Sequence, residues 1–303
     1  MKHIPETRMK LKKLVNDLSV NLGDIDTSKI TDMVGLFLDT QRTDFSGIEK
    51  WDVSKVENMA AMFKGVTSFN ANISKWDVSR VKDMEGMFAG AKSFNQSIRK
   101  WDVSNVENMH GMFSYATSFN QDLSKWDVSK VESMRDMFAG AESFNQSIGD
   151  WDVSRVKDMV GMFAYATSFN QDLSDWNVSK VKNMACMFQG AESFNQDISN
   201  WNVRSVENMA AMFYEAKAFN QDISKWDVSN VMDMTFMFIR AESFNQDISS
   251  WDVSKVAKMN GMFYEAKSFN QDLSDWDLSS IEYIDDETKD LICNNHNNVR
   301  TMQ

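Results

Sequence analysis

Aspartates that recur every 25 residues have the clearest capacity for chemistry in this sequence, because stacked carboxylates can bind cations. The first series is Asp52, Asp77, Asp102, Asp127, Asp152, Asp227, Asp252 and Asp277, with Asn177 and Asn202 at the same interval. The second series is Asp122, Asp172, Asp197, Asp222, Asp247 and Asp272. Carboxylates at a strand spacing of about 4.8 Å repel by about 1 kcal/mol before salt screening, so another group must compensate them.

Two forms of compensation are open. Lysine or arginine flanks the first series, as Lys50 and Lys55 flank Asp52, and cross-strand ion pairs of this kind offset like charges. A ladder of calcium ions is the alternative, although the glycine-rich nine-residue unit of calcium-binding β-helices is absent from the sequence. We expect ion pairs, and we expect neither a metal nor a cofactor.

The histidines and cysteines give no second candidate for catalysis. His3, His110 and His296 are far apart, and Cys186 and Cys293 lie in dissimilar contexts that predict no disulfide framework. We interpret His110 as a surface residue and Cys186 as a small filler residue. Phosphate-binding loops, dinucleotide fingerprints and zinc-ligand spacings are absent. The sequence therefore predicts a protein that is not an enzyme and has no catalytic residue.

The aspartates belong to a 25-residue repeat that is marked by tryptophan. All the tryptophans stand 25 residues apart, at positions 51, 76, 101, 126, 151, 176, 201, 226, 251 and 276. Trp-Asp occurs in propeller blades, but a blade needs about 40–45 residues, whereas leucine-rich repeats have about 20–29. The interval therefore excludes a propeller and predicts a solenoid.

The pattern within one repeat predicts its core and its secondary structure. With tryptophan as position 1, apolar residues at positions 1, 3, 6, 9, 12, 13, 16, 19 and 23 predict the core. Alternation over residues 123–128 predicts a strand, and the three-four spacing over residues 106–116 predicts a helix. Ser104 followed by Glu107 is typical of a helix capping box. The predicted fold is α/β: a right-handed leucine-rich-repeat-like solenoid with one short parallel strand and one short helix per 25-residue coil.

Asparagine at position 20 predicts a structural ladder. A stacked Asn side chain can bond the backbone of its own turn and of the neighbouring coil. It could therefore form turns in a chain that has few of the usual turn residues, with 12 glycines and one proline. These residues are Asn70, Asn95, Asn120, Asn145, Asn170, Asn195, Asn220, Asn245 and Asn270. We interpret the methionines at positions 9 and 12 as core rather than as a metal-binding box, and the tryptophans as core rather than as a sugar-stacking platform.

The two ends differ from the repeat, because the ends of a solenoid must cover its core. Residues 1–21 are predicted as an N-terminal helical cap, with a helical apolar pattern over residues 7–20. Residues 22–280 are predicted as the repeat solenoid, a single domain of about eleven coils. Residues 281–303 are predicted as a C-terminal cap and tail, with a short helix over residues 285–294.

A family resemblance follows from the repeat motif. The segment W-D-V-S-N-V, together with M-x-x-M-F-x-x-A-x-S-F-N-Q-D-I-S, resembles the bacterial surface protein repeat of BspA-like leucine-rich-repeat proteins, over residues 22 to about 280. The resemblance implies a cell-surface or secreted protein with a role in adhesion or host contact, and no catalytic residue. No signal peptide, anchor or membrane span is evident in the sequence, so the localisation is left open.

A partner would meet the outward side chains of the predicted strand, at positions 24, 25, 2, 4 and 5. The candidate partner-binding residues are Lys50, Asp52, Lys55, Lys75, Asp77, Arg80, Lys100, Asp102, Lys125, Asp127, Lys130, Asp152, Arg155, Lys180, Lys225, Asp227, Asp252 and Lys255. This face changes from net positive over the first four tryptophan coils to net negative over the last six, which would orient a protein or glycan partner. A role in keeping the sheet soluble is equally open.

These observations predict a monomeric, non-enzymatic scaffold that binds another macromolecule, in adhesion or surface interaction. A formal charge of −12 and a pI near 4.8 argue against nucleic acid as the partner. One alternative is an intracellular acidic solenoid that mimics nucleic acid or acts as a protein–protein interaction module. The other alternative is a structural spacer without a partner.

Overall fold

The structure, a computed structural model, describes the backbone of residues 2–298 and the side chains of residues 2–293. Two α-helices lie at the ends of the chain: α1 spans Arg8–Asn16 and α2 spans Asp286–Asn298. Residues 299–303 of the predicted tail lie outside the described residues.

The chain between the helices is built from tight turns and isolated β-bridges. Short 3₁₀ helices span Leu22–Asp24 and Ile48–Lys50. From residue 51 to residue 285, the described chain forms neither a helix nor a strand longer than a single bridge. The architecture therefore rests on contacts between coils.

Successive 25-residue coils pair in parallel, which gives the chain the stacked arrangement of a solenoid. Bridges join position 8 of each coil to position 8 of the next, from Asp32–Asn58 to Lys258–Tyr283. N–H groups at positions 9, 11, 13 and 15 then donate to carbonyl oxygens of the following coil. In the first tryptophan coil these donors are Met59, Ala61, Phe63 and Gly65, at 2.7–2.9 Å. The backbone of this segment is therefore satisfied between coils.

The helix predicted for each coil does not form. Positions 11 and 15 have φ between 52° and 75° in all nine coils from Trp51 to Trp251, and a right-handed helix cannot contain this left-handed conformation. N–H groups at positions 12, 14 and 16 instead donate three residues back, as Met62 does to Met59 at 3.2 Å. Consecutive turns of this kind bury residues at the same three-four spacing as a helix, so the apolar pattern alone cannot distinguish them.

The strand predicted at residues 123–128 is also a turn. Trp126 N–H donates to the Leu123 carbonyl at 3.0 Å, and the parallel pairing lies at position 8. Ser104, which was predicted to cap a helix, instead forms hydrogen bonds within a turn. Its N–H and Oγ donate to Asp102 Oδ1 at 3.1 and 2.7 Å. The described coils are thus made of turns in place of the expected strand and helix. The right-handed sense of the solenoid stays a prediction.

Aspartate and asparagine side chains form corners of each coil. In the coil from Trp151, Oδ1 of Asp152, Asp158 and Asp172 accepts the N–H two residues further on, at 3.0, 3.0 and 2.9 Å. Such Asx turns reverse the chain without proline. They explain how a chain with one proline forms a tight corner several times per coil.

The asparagine ladder at position 20 is confirmed as a link between neighbouring coils. Oδ1 of Asn120 accepts two hydrogen bonds from the next coil, from Asn145 N–H at 3.0 Å and from Gln146 Nε2 at 2.9 Å. Equivalent bonds recur along the stack from Asn70 to Asn270. Each asparagine oxygen therefore links two coils.

The predicted core positions are confirmed, and the tryptophans are among them. Phenylalanines at positions 13 and 19 form a stacked ladder. The ring centroid of Phe113 lies 4.1 Å from that of Phe119 and 5.6 Å from that of Phe138 in the next coil. Each buried indole also needs an acceptor for its N–H. Trp126 Nε1 donates to the Ile98 carbonyl at 3.2 Å, and the same bond recurs at the other tryptophans.

A buried arginine fixes α1 to the first coil. Arg42 is 6% exposed. Its Nε donates to the carbonyl of Val15 at 2.9 Å, and its Nη2 donates to those of Asp17 and Val20 at 2.7 and 3.0 Å. These carbonyls lie at and just beyond the C-terminal end of α1, where a helix leaves acceptors free. Val15 is buried in the same core as the coils.

Candidate interaction surfaces

The eighteen candidate residues predicted from the sequence are all exposed. They belong to the surface formed by positions 25, 2 and 5 of the ten tryptophan coils, which we call the aspartate face. Their side chains are held largely by the coils themselves. Lys130 Nζ donates to Asn105 Oδ1 at 2.7 Å, and Asn105 Nδ2 donates to the Ser79 carbonyl at 2.8 Å. Part of the polar capacity of this face is therefore used in linking coils.

The carboxylates of the aspartate face are compensated by their own turns. Asp77 Oδ1 accepts from the N–H and Oγ of Ser79 at 3.1 and 2.6 Å. The Ser79 hydroxyl, followed by its N–H, lowers the pKa of the Asp77 carboxyl. The same donors lower the pKa at other carboxylates of the series, which are Asp127, Asp152, Asp227 and Asp252.

The expected ion pairs are mostly not formed. Among the described residues, Asp227 is the one carboxylate at position 2 with a cation within 4.0 Å, at 3.6 Å from Arg204 Nε. Asn177 replaces an aspartate because its Oδ1 accepts the same bonds from Ser179, at 3.2 and 2.7 Å. Within the described part of the chain, no group of three His, Cys, Asp or Glu side chains could hold a metal ion.

A second surface, which the sequence analysis did not identify, lies along the left-handed turns. We call it the turn face, and it consists of positions 10, 11, 14 and 15 of the nine coils from Trp51 to Trp251. Position 10 alone holds Ala, Glu, His, Arg, Val, Thr and Asn. The aspartate face, in contrast, holds only Lys, Arg, Asp, Asn and Ser. The turn face therefore varies most in side-chain chemistry between otherwise similar coils.

The turn face carries exposed aromatic rings on strained backbone. Tyr115, Tyr165, Phe236 and Tyr264 are 58%, 42%, 44% and 43% exposed. The first three have φ of 54°, 56° and 62°, a conformation that costs about 1–2 kcal/mol for a residue other than glycine. Tyr115 and Tyr165 stand at position 15 and Phe236 at position 11, and other coils have glycine at each of these positions, as at Gly90. Ala61 and Ala211 have the same left-handed backbone, so these three residues are distinguished by a large ring that stays partly exposed.

Three of these rings lie over glycines of the following coil. A Cβ atom on Gly140 would stand 2.5 Å from the ring of Tyr115, and one on Gly190 would stand 2.5 Å from the ring of Tyr165. A Cβ atom on Gly261 would likewise stand 2.9 Å from the ring of Phe236. The Tyr165 hydroxyl also accepts a hydrogen bond from Gln189 Nε2 at 2.7 Å. The rings are therefore fixed against the backbone of the next coil.

Several glycines open a shallow cavity of about 460 Å³ at the N-terminal half of the turn face, which we call the glycine depression. Its floor is Gly65, Gly86, Ala89, Gly90 and Gly111, and its rim is Lys64, Glu85, His110, Ser114, Tyr115 and Asp136. His110 Nε2 and Arg135 Nε lie 3.7 and 3.5 Å from Asp136 Oδ2. His110, interpreted from the sequence as an ordinary surface residue, thus lies on the rim of a cavity.

An ion-pair ladder occupies the C-terminal half of the turn face. Arg240 Nη1 lies 2.9 Å from Glu215 Oε1, and its Nε lies 2.6 Å from Glu265 Oε2. The hydrogen bonds that Arg240 donates to Glu215 and Glu265 raise the pKa of its guanidinium. Tyr264 and Ile239 occupy the adjacent position 14 of these coils. Aromatic and charged groups of this half therefore lie side by side.

Comparison with known proteins places the chain in a repeat family. The family model described as "Mycoplasma protein of unknown function, DUF285" matches residues 9–126, 116–218 and 196–300. The chain belongs to this family. Three tandem matches agree with the repeat, and DUF285 is the family that the comparison names, so the resemblance to BspA-like proteins stays a prediction.

Other comparisons add little to the DUF285 assignment. No curated protein matches the chain. A solved structure, "Crystal structure of TLR13-ssRNA13 complex", is similar at 10% identity over 92% of this chain, with a TM-score of 0.20. The match covers 55% of that structure's chain, so this chain spans just over half of its length. Among the described residues, no helix is long and apolar enough to cross a membrane.

Proposed function

We propose that this DUF285 chain is a non-enzymatic protein-interaction scaffold that binds a partner protein through the turn face. The observation that carries the proposal is the set of exposed aromatic rings on left-handed backbone, at Tyr115, Tyr165 and Phe236. The left-handed backbone at each ring costs about 1–2 kcal/mol, which offsets the contacts that the ring makes within the chain, and burial against a partner would give the rings a further role. Tyrosine, phenylalanine and arginine are enriched where protein interfaces gain their affinity.

The rigidity of the turn face supports the same proposal. Its backbone is bonded from coil to coil, as where Tyr165 N–H donates to the Gln189 carbonyl at 2.5 Å. Its tyrosine rings are held over Gly140 and Gly190. A surface that is already ordered loses little conformational entropy on binding, so more of its contact energy appears as affinity.

The other surfaces have subsidiary roles in this proposal. The aspartate face, with charge that changes sign along the stack, would orient the approaching partner. Residues 1–21 and 281–303 would act as caps of the solenoid domain, residues 22–280. The setting that we propose is adhesion or host contact at a cell surface. The alternative is an acidic mimic of nucleic acid, which would act inside the cell.

Photo-crosslinking tests which face meets the partner. A photoreactive amino acid is placed at Tyr165 on the turn face or at Lys180 on the aspartate face, in the cells that produce the protein. We expect a discrete, saturable protein adduct from position 165. Adducts from position 180 alone, or from neither position, would contradict binding through the turn face. Fractionation of the same cells tests the setting, because a purely cytosolic protein would contradict adhesion.

A further inference from the structure

The turn face shows how it accommodates an aromatic ring. In three places a ring from one coil lies over a glycine at the same position of the next coil: Tyr115 over Gly140, Tyr165 over Gly190, and Phe236 over Gly261. The first two pairs use position 15, and the third uses position 11. Glycine is required beneath the ring because a Cβ atom there would overlap it. A glycine on this face therefore leaves room for an aromatic ring against the backbone.

The glycine depression has the same surface without a ring from its own chain. A Cβ atom on Gly65 would meet nothing within 4 Å, and one on Gly90 would meet only the backbone of Gly65 at 3.5 and 3.7 Å. A Cβ atom on Gly86 or Gly111, at position 11, would meet only side-chain atoms, at 3.7–3.9 Å. Gly65 is exposed and Gly90 is half-buried, whereas the two glycines at position 11 are buried. The open part of the depression therefore lies at position 15, which in two other coils lies under a ring.

We propose that the glycine depression binds an aromatic side chain of the partner protein. This inference rests on the proposed function and specifies the chemistry that the partner must present there. The ring would pack against the glycine backbone, as Tyr115 packs against Gly140. The ring of Tyr115, which is 58% exposed at the rim, would contact it from the side.

The hydrogen bonding of the depression favours tyrosine or tryptophan over an aliphatic side chain. The floor offers few free donors, because Gly65 N–H and Gly90 N–H already donate to carbonyls of the next coil at 2.7 and 2.6 Å. The rim supplies the polar groups, since Lys64 can donate to a hydroxyl, and the Ser114 hydroxyl can accept from a hydroxyl or an indole N–H. A flat apolar floor with a polar rim matches a ring that carries one polar atom.

A small aromatic probe tests the inference directly on the whole chain. N-acetyl-tyrosinamide is titrated into the protein, and amide chemical shifts are followed by NMR, with N-acetyl-leucinamide as the comparison. We expect saturable shifts at Gly65, Gly86, Gly90 and Gly111 from the tyrosine compound only. Shifts that are equal for the two compounds, or that are spread over the surface without saturation, would overturn the proposal.

A substitution within the chain can close the depression. Gly65→Tyr adds a tyrosine at position 15 with room for its Cβ atom, and its ring should cover Gly90 as Tyr115 covers Gly140. Binding of the probe should weaken at least tenfold. Phe236→Tyr is the control, because it adds a tyrosine hydroxyl to the turn face of a distant coil, where a ring already lies over Gly261 on left-handed backbone. Unchanged binding to Gly65→Tyr, with the control also unchanged, would contradict the inference.

A second variant keeps the test valid if Gly65→Tyr does not fold. Tyr115→Gly places glycine on backbone that favours it and removes the ring over Gly140. The shifts caused by the probe should then extend to Gly140, and the absence of any shift there would count against the mechanism. Failure of these titrations leaves crosslinking from Tyr165 as a separate test. The two proposals can therefore fail independently.

Discussion

Two adjacent alanines allow a direct test of the turn geometry. Ala211 has a φ of 54°, whereas Ala210 lies outside the positive-φ region, and both residues are half-buried. Replacement of either alanine by glycine increases the entropy of the unfolded chain equally, which destabilises the fold by about 0.4–1 kcal/mol. At Ala211 alone, glycine also removes a left-handed penalty of about 1–2 kcal/mol.

The two substitutions should therefore have opposite effects. We expect Ala211→Gly to raise the free energy of unfolding by up to about 1.5 kcal/mol and Ala210→Gly to lower it by about 0.4–1 kcal/mol. Urea denaturation of both variants measures the difference. The pair Ala60 and Ala61 repeats the experiment in another coil, because Ala61 also has a φ of 54°. Equal destabilisation by both substitutions, as in a helix interior, would refute the turn geometry.

Three further predictions follow from individual hydrogen bonds. Asn195→Ala should destabilise the stack by about 1–3 kcal/mol and speed hydrogen exchange at the Asn220 amide; Asn195→Asp should do neither, because it keeps the Oδ1 that accepts this N–H at 2.9 Å. Arg42→Met should cost about 2–3 kcal/mol by leaving buried carbonyls without a donor, with faster proteolysis of α1 as the readout and solvent-exposed Lys10→Met as the control. The lowered pKa of Asp77 predicts stability that is complete above the ordinary aspartate pKa and lost as pH falls through the folded value; Asp77→Asn, which retains the acceptor, should reduce this acid sensitivity in urea titrations without a loss at neutral pH.

The core and the repeat could be predicted from the sequence because burial depends on side-chain type. The nine coils from Trp51 to Trp251 place Trp, Val, Met and Phe at the same positions, and a 25-residue interval brings these positions together when the coils stack. The role of Asn120 and its equivalents in linking coils was also predictable, because an Asn side chain can bond the backbone of the neighbouring coil. These inferences use properties that do not depend on the backbone conformation.

The helix could not be excluded by periodicity, since consecutive turns repeat at the same interval. The positions of the glycines were the evidence in the sequence against a helix. Gly86 and Gly90 stand four residues apart inside the segment predicted as a helix, and eight of the 12 glycines occupy positions 11 and 15. Repeated glycine at two fixed positions indicates left-handed backbone, which is incompatible with the predicted helix.

The turn face was missed for the same reason. Tyr115, Tyr165 and Phe236 stand where sister coils have glycine, but their departure from the repeat has meaning only when the backbone there is known to be left-handed. The sequence analysis placed the outward side chains on a strand that does not form. It therefore assigned binding to the aspartate face, which no observation yet tests as a partner site.

The most direct test of the central claim compares stability and partner binding in one variant. In the triple variant Tyr115→Gly, Tyr165→Gly and Phe236→Gly, each ring is replaced by the residue that sister coils have at that position. The variant should unfold at a urea concentration close to that of the natural chain, because the lost ring contacts are offset by relief of strain. Its affinity for the partner identified by crosslinking should fall at least 100-fold.

The matched control changes the aspartate face instead. Lys130→Ser, Lys180→Ser and Lys255→Ser introduce the residue that Ser205 already provides at position 5. This control should weaken binding less than tenfold, mainly through a slower association rate at low salt. A folded triple-glycine variant that binds the partner as tightly as the natural chain would contradict the assignment of function to the turn face.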